Sequence, residues 1–100
     1  MISPARRAAF EALRQADVVH GSGRDLATAL ADARKHVRDP RDRALVTELA
    51  LGVERWRAAL DAVIAAASGR DIASIDFPAL LSLRLAAFQM KFLSRTPSHA

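Results

Sequence analysis

The run Asp39-Pro40-Arg41-Asp42-Arg43-Ala44-Leu45-Val46-Thr47-Glu48-Leu49-Ala50-Leu51-Gly52-Val53-Glu54-Arg55-Trp56 opens as a helix and keeps helical spacing to its end. Asp39 can accept from the unpaired amides of a first turn, Pro40 is pre-set for the first helical position, and Asp42 adds a carboxylate where the helix dipole favours one. Val46, Leu49, Val53, Trp56, Leu60, Val63 and Ala67 then recur at intervals of three and four, so the pattern predicts one long apolar seam closing at Ser68-Gly69. On that seam Trp56 is read as a core side chain rather than a platform for base stacking. Gly52 interrupts it at a cost of about 1 kcal/mol relative to alanine, which implies a kink, a break into two helices, or the close approach of another backbone.

The same punctuation recurs on both sides. Ser3-Pro4 starts a first helix carrying Ala9, Phe10, Leu13 and Ala16 on one face, expected to end before the loop signal His20-Gly21-Ser22-Gly23. Asp25 caps a second, with Leu26, Ala29, Leu30, Ala33 and Val37 as its stripe. After a connector from Arg70 to Asp76, Asp76-Phe77-Pro78 restarts helix, predicted to run roughly from Phe77 to Leu93. That helix is apolar in nearly every direction, with only Ser82, Arg84, Gln89 and Lys91 polar, and therefore calls for neighbours on most sides. Leu81, Phe88 and Phe92 are its candidate partner-contact residues.

A chain of 100 residues with 51% apolar and 26% charged side chains predicts one globular domain, residues 1–100, of the all-α class with four or five helices. The absence of cysteine excludes disulfides, thiolate metal sites and cysteine nucleophiles. With no signal-like amino terminus and no apolar run of about 20 residues, a soluble cytoplasmic protein is expected, with no membrane partner. His20, His36 and His99 are scattered, so no metal site is expected, and no nucleophile motif or phosphate-cradling loop occurs. No catalytic residue and no cofactor are predicted for this chain.

The basic residues cluster. Arg6 and Arg7 lie on the first turn of the first helix, Arg34, Lys35, Arg38, Arg41 and Arg43 surround the junction of the second and third, and Arg55 and Arg57 flank Trp56. With a net charge of +4 and all basic residues but Lys35 and Lys91 being arginine, phosphate recognition is permitted. Equally, Arg34 and Lys35 suit a helix carboxy terminus, and Arg41 and Arg43 can pair with Asp39 and Asp42 as a solvated face.

The opening Pro4-Ala5-Arg6-Arg7-Ala8-Ala9-Phe10-Glu11-Ala12-Leu13, the Gly52-Val53-Glu54-Arg55-Trp56 motif, Leu60-Asp61 with Ile64, and Leu83-Arg84-Leu85-Ala86-Ala87-Phe88-Gln89-Met90 follow one another as in a known family. In them the chain resembles the NusB-like domain that begins the RsmB (Sun/Fmu) ribosomal RNA cytosine methyltransferases. The resemblance implies a NusB-like helical bundle and a non-catalytic accessory domain that binds RNA, expected to be ribosomal. It also implies a separate S-adenosylmethionine-dependent methyltransferase domain, or a ribosomal protein, as partner. It makes Arg6 and Arg7 the leading RNA contacts and gives Gly52, Trp56, Asp61 and Arg84 an architectural role, while Arg41 and Arg43 are further RNA-contact candidates from the clustering of charge. Glu54, Ala86 and Lys91 depart from the family pattern. The chain stops where the family's next helix would begin, so a fragment lacking the closing carboxy-terminal helices is expected, covering its last helix by self-association. The alternative to RNA binding is a protein interaction or homodimerisation module.

Overall fold

A computed structural model describes residues 3–93 and is helical throughout, with no strand among the described residues. His99 and the tail at residues 96–100 lie outside the described residues. Two compact units are present, the first ending at Leu51 and the second beginning at Gly52. None of the described helices is long and apolar enough to cross a membrane.

In the first unit, α1 spans Pro4–Ala16, with the Ser3 hydroxyl accepting from the Arg6 amide at 3.1 Å. Its buried face is Ala5, Ala8, Ala9, Ala12 and Leu13, whose small side chains let α2, Leu26–Arg34, pack closely on it. The helix stops at Ala16 because Asp17 turns extended and its carboxylate takes the amides of Val19 and His20, at 3.1 and 2.7 Å. The Asp25 carboxylate caps α2, accepting from the amide and the hydroxyl of Thr28. Val37, expected on the α2 stripe, lies beyond the helix end and is nonetheless buried. The amides of residues 35, 36 and 37 tighten into bonds with the carbonyls of Asp32, Ala33 and Arg34, which curls the linker back over the helix. Asp39 then opens α3, Pro40–Arg55, by accepting from the Arg41 amide at 2.9 Å.

The long third segment is two helices. α3 ends at Arg55, Trp56 adopts φ −103° and ψ 17°, and α4 runs Arg57–Ser68 to left-handed Gly69. The buried stripe keeps helical spacing across the break: Leu60, on the expected seam, and Ile64 are buried in α4 at seven and eleven residues from buried Val53, whereas Trp56 and Val63 fall at the edge of the stripe and are exposed. Trp56, 40% exposed, is therefore not a core residue. A short turn at Ile72–Ser74 leads to α5, Phe77–Phe88, capped by Asp76 and packed on α4. The final helix extends to Leu93 as anticipated, but its last five residues, Gln89–Leu93, form a wider π turn.

α3 runs unbroken through Gly52, and what comes close there is a side chain rather than the expected backbone: a Cβ placed at Gly52 would lie 2.1 Å from Cζ of Phe88, so the helix passes directly over that ring.

Candidate nucleic-acid interface

Within the first unit, α1 and the end of α2 enclose an open groove of about 590 Å³ lined by Pro4, Arg7, Ala8, Glu11, Ala33, His36 and Val37. The groove exists because an alanine face on α1 meets an alanine on α2, leaving the longer side chains to stand at its rim. Lys35 and Arg38, both exposed, flank the His36-Val37 wall in sequence. The carboxylate in the groove, Glu11, is already engaged: Arg14 donates to it through Nε and Nη2 at 3.0 and 2.5 Å, and Gln15 adds a third bond. Lys35 pairs with Asp32 at 3.5 Å, which leaves Arg7 and His36 in the groove and Arg38 beside it in sequence as the basic groups open to a ligand.

Arg14 hydrogen bonding holds the Glu11 carboxyl below its ordinary value of 4.5, against a smaller opposing effect of burial. Burial pushes Asp17 up, but the His20 amide and ring and the Val19 amide outweigh it. Asp32 is held low first by its hydrogen bond from Arg24. Folded values below the unfolded ones mean these carboxylates stabilise the fold above about pH 4.5 and cease to do so as pH falls through their lowered values. Thermal unfolding followed by circular dichroism is expected to show a constant melting temperature above that pH and a steady decline below about pH 4, with Glu11→Gln flattening part of the decline.

Of the arginines singled out in the sequence, Arg7 lines the groove and is exposed, and Arg6, its neighbour, is half-buried. Arg41 is exposed at the start of α3. Arg43 behaves differently: its Nη1 donates to the carbonyls of Val37 and Arg38, at 2.9 and 2.5 Å, so it clamps the linker carrying Lys35, His36 and Arg38 rather than pairing with Asp39 or Asp42. Arg34 likewise turns inward to the Thr47 hydroxyl at 2.8 Å. His36, isolated in the sequence from any ligand-spaced neighbour, enters the groove; the signal for it was the flanking Lys35 and Arg38.

In the second unit, Arg84 is 9% exposed and makes a two-pronged pair with Asp61, Nε to Oδ1 at 2.8 Å and Nη2 to Oδ2 at 2.9 Å. Leu81 and Phe88, expected to face a partner, are 2% and 5% exposed and belong to the unit's own core, because α5 turns them inward with Leu80 and Leu85. Phe92 does reach the surface, stacked at 5.3 Å on Trp56. The apolar face that α5 leaves open is a groove lined mainly by Val63, Ala67, Leu83, Ala86, Ala87 and Met90. Among the described residues, no cluster of three or more potential metal ligands occurs.

An all-helical fold with a groove carrying Arg7 and His36 on one unit and a buried Arg84 paired with Asp61 in the other defines a small helical module. The chain belongs to the NusB family, whose model matches residues 3–100. It is also 42% identical, over 100 residues, to a protein of Mycobacterium tuberculosis described as "Putative methyltransferase" in each of two strains. The match takes in 99% of this chain and 21% of each relative, so the chain spans about a fifth of the length of the curated relatives it matches. That placement accords with the NusB-like amino-terminal domain of an RsmB-type protein. No solved structure matches the chain significantly.

Proposed function

We propose that the chain is an RNA-binding accessory module that holds ribosomal RNA for a methyltransferase unit. The observation that supports it most is the α1–α2 groove, where Arg7 and His36 share one concave wall with Lys35 and Arg38 beside it and the single acidic lining residue is neutralised internally. Arginine forks along such a wall suit phosphate oxygens, and their binding releases counterions. Arg6 neighbours Arg7 in sequence and Arg43 fixes the linker, so Arg43 would serve the RNA by positioning its neighbours, while Arg41, exposed at the start of α3, is a further phosphate contact in this reading. The methyltransferase context comes from the relatives' name, and catalysis belongs to the partner unit.

Binding of a small-subunit ribosomal RNA fragment, followed by fluorescence anisotropy across a salt series, tests this. Arg7→Glu combined with Arg38→Glu is expected to weaken binding by tenfold or more and to lower the slope of log affinity against log salt by roughly 0.7–0.9 for every phosphate no longer neutralised. Affinity that ignores both substitutions and salt would remove the groove from consideration, and would favour a protein partner on the Val63-Leu83-Met90 face instead.

A further inference from the structure

A ladder of rings runs outward through the second unit. It starts where the Phe88 ring lies beneath Gly52, continues to Phe92 at a centroid distance of 5.0 Å, and ends on Trp56 at 5.3 Å, with interplanar angles of 29° and 26°. Its inner member is buried, whereas its outer two are 38% and 40% exposed. The π turn at Gln89–Leu93 sets Phe92 on Phe88, and the helix break at residue 56 carries the indole away from the core seam. The indole is thus backed by rings that are themselves held in place. Cations accompany it: the Arg55 guanidinium lies over the indole ring, 5.7 Å from its centroid, from where it would swing to a phosphate as a base takes its place, and Arg57 and Lys91 are exposed beside Trp56 and Phe92 in sequence. Glu54 lies 3.8 Å from Arg57 and offsets one of the three positive charges.

We infer that Trp56, backed by Phe92, is a stacking platform for an unpaired base of single-stranded RNA, with Arg55 and Arg57 receiving the adjoining phosphates. A rigid, half-exposed indole flanked by arginines offers both things a single-stranded nucleotide presents, a π face and an anion. An apolar protein partner would instead have to displace or desolvate the Arg55 guanidinium over the ring. The platform belongs to the other unit and rests on the RNA-binding reading above, but it draws on none of the same residues.

Trp56 is the chain's sole tryptophan, so its emission reports this site alone. The experiment titrates the protein with an unstructured 12-nucleotide RNA carrying a dye that does not overlap tryptophan, and with an abasic ribose-phosphate chain of equal length. Anisotropy gives binding and tryptophan emission gives stacking. Quenching by the RNA and not by the abasic chain is expected, with Trp56→Ala weakening RNA binding about tenfold at an unchanged salt slope and Trp56→Phe by much less. RNA that binds without altering Trp56 emission would overturn the platform and leave the groove reading intact. No binding of the RNA at low salt would overturn both. Emission that changes with protein concentration alone, and is then indifferent to RNA, would reassign the ring to a protein contact. The wild-type comparison of the two ligands decides the matter even where a variant fails to fold.

Discussion

Asp61→Ala is expected to lower the stability of the folded chain by about 3 kcal/mol. The cause is the residue left behind. Arg84 is 9% exposed, and both of its bonds to carboxylate run to Asp61. Without that partner the guanidinium must stay charged in a desolvated place or tear α5 away from α4 to reach water. For a chain of this size the loss corresponds to a melting temperature lower by roughly 15 °C. The companion experiment separates the pair's net contribution from the penalty of breaking it. Asp61→Leu with Arg84→Met removes both charges and replaces them with apolar volume, and is expected to recover most of the stability. Urea unfolding checks each variant. A loss below about 1 kcal/mol for Asp61→Ala would mean the pair behaves like a solvated surface ion pair.

Gly52→Ala should also destabilise, although alanine is the better helix former by about 1 kcal/mol. The new methyl would lie 2.1, 2.4 and 2.7 Å from Cζ, Cε1 and Cε2 of Phe88, so the ring must retreat by more than an ångström to restore ordinary van der Waals separation. Phe88 has little room to do so, being 5% exposed and stacked on Phe92. Overpacking of this kind costs about 1–3 kcal/mol, occasionally more, and a net loss of about 2 kcal/mol is expected after the helix-propensity gain is set against it. Because the displaced ring pushes on Phe92 and through it on Trp56, the native emission spectrum should shift as well. Phe88→Leu in the Gly52→Ala background is expected to return part of the stability. An alanine variant as stable as the parent, with an unchanged spectrum, would show that the approach of α3 to Phe88 is loose.

The helix starts were legible from sequence because their signals are local. Ser3, Asp25, Asp39 and Asp76 each accept from an amide two or three residues ahead, and no distant part of the chain is needed to read that. The break at Trp56 was not legible. Two successive helices with a single residue between them preserve the interval of three and four, so the break leaves no mark on the pattern, and intervals of three and four admit either Val63 or Ile64 after Leu60, of which the structure buries Ile64. The apolar abundance of α5 likewise concealed which side packs, since periodicity cannot choose a face on a helix that is apolar nearly all round. Leu81 and Phe88 went inward for that reason, and Arg84, which the NusB-type pattern marked as architectural, went with them. For the candidate site, the resemblance picked out Arg6 and Arg7, but the groove joins Arg7 to His36 across a helix pair, and that adjacency lies beyond any local pattern. Arg43 was counted among the RNA contacts because charge is visible in a sequence and a guanidinium bound to backbone carbonyls is not.

The wide turn at Gln89–Leu93 also bears on how this chain can vary over evolutionary time. Such a turn holds more residues per revolution than the α-helix before it, so it can absorb the gain or loss of a single codon that would elsewhere rotate a whole helix face by about 100°. Length changes of one residue should therefore be tolerated between Gln89 and Leu93 and rejected within Phe77–Phe88, where they would swing Arg84 away from Asp61.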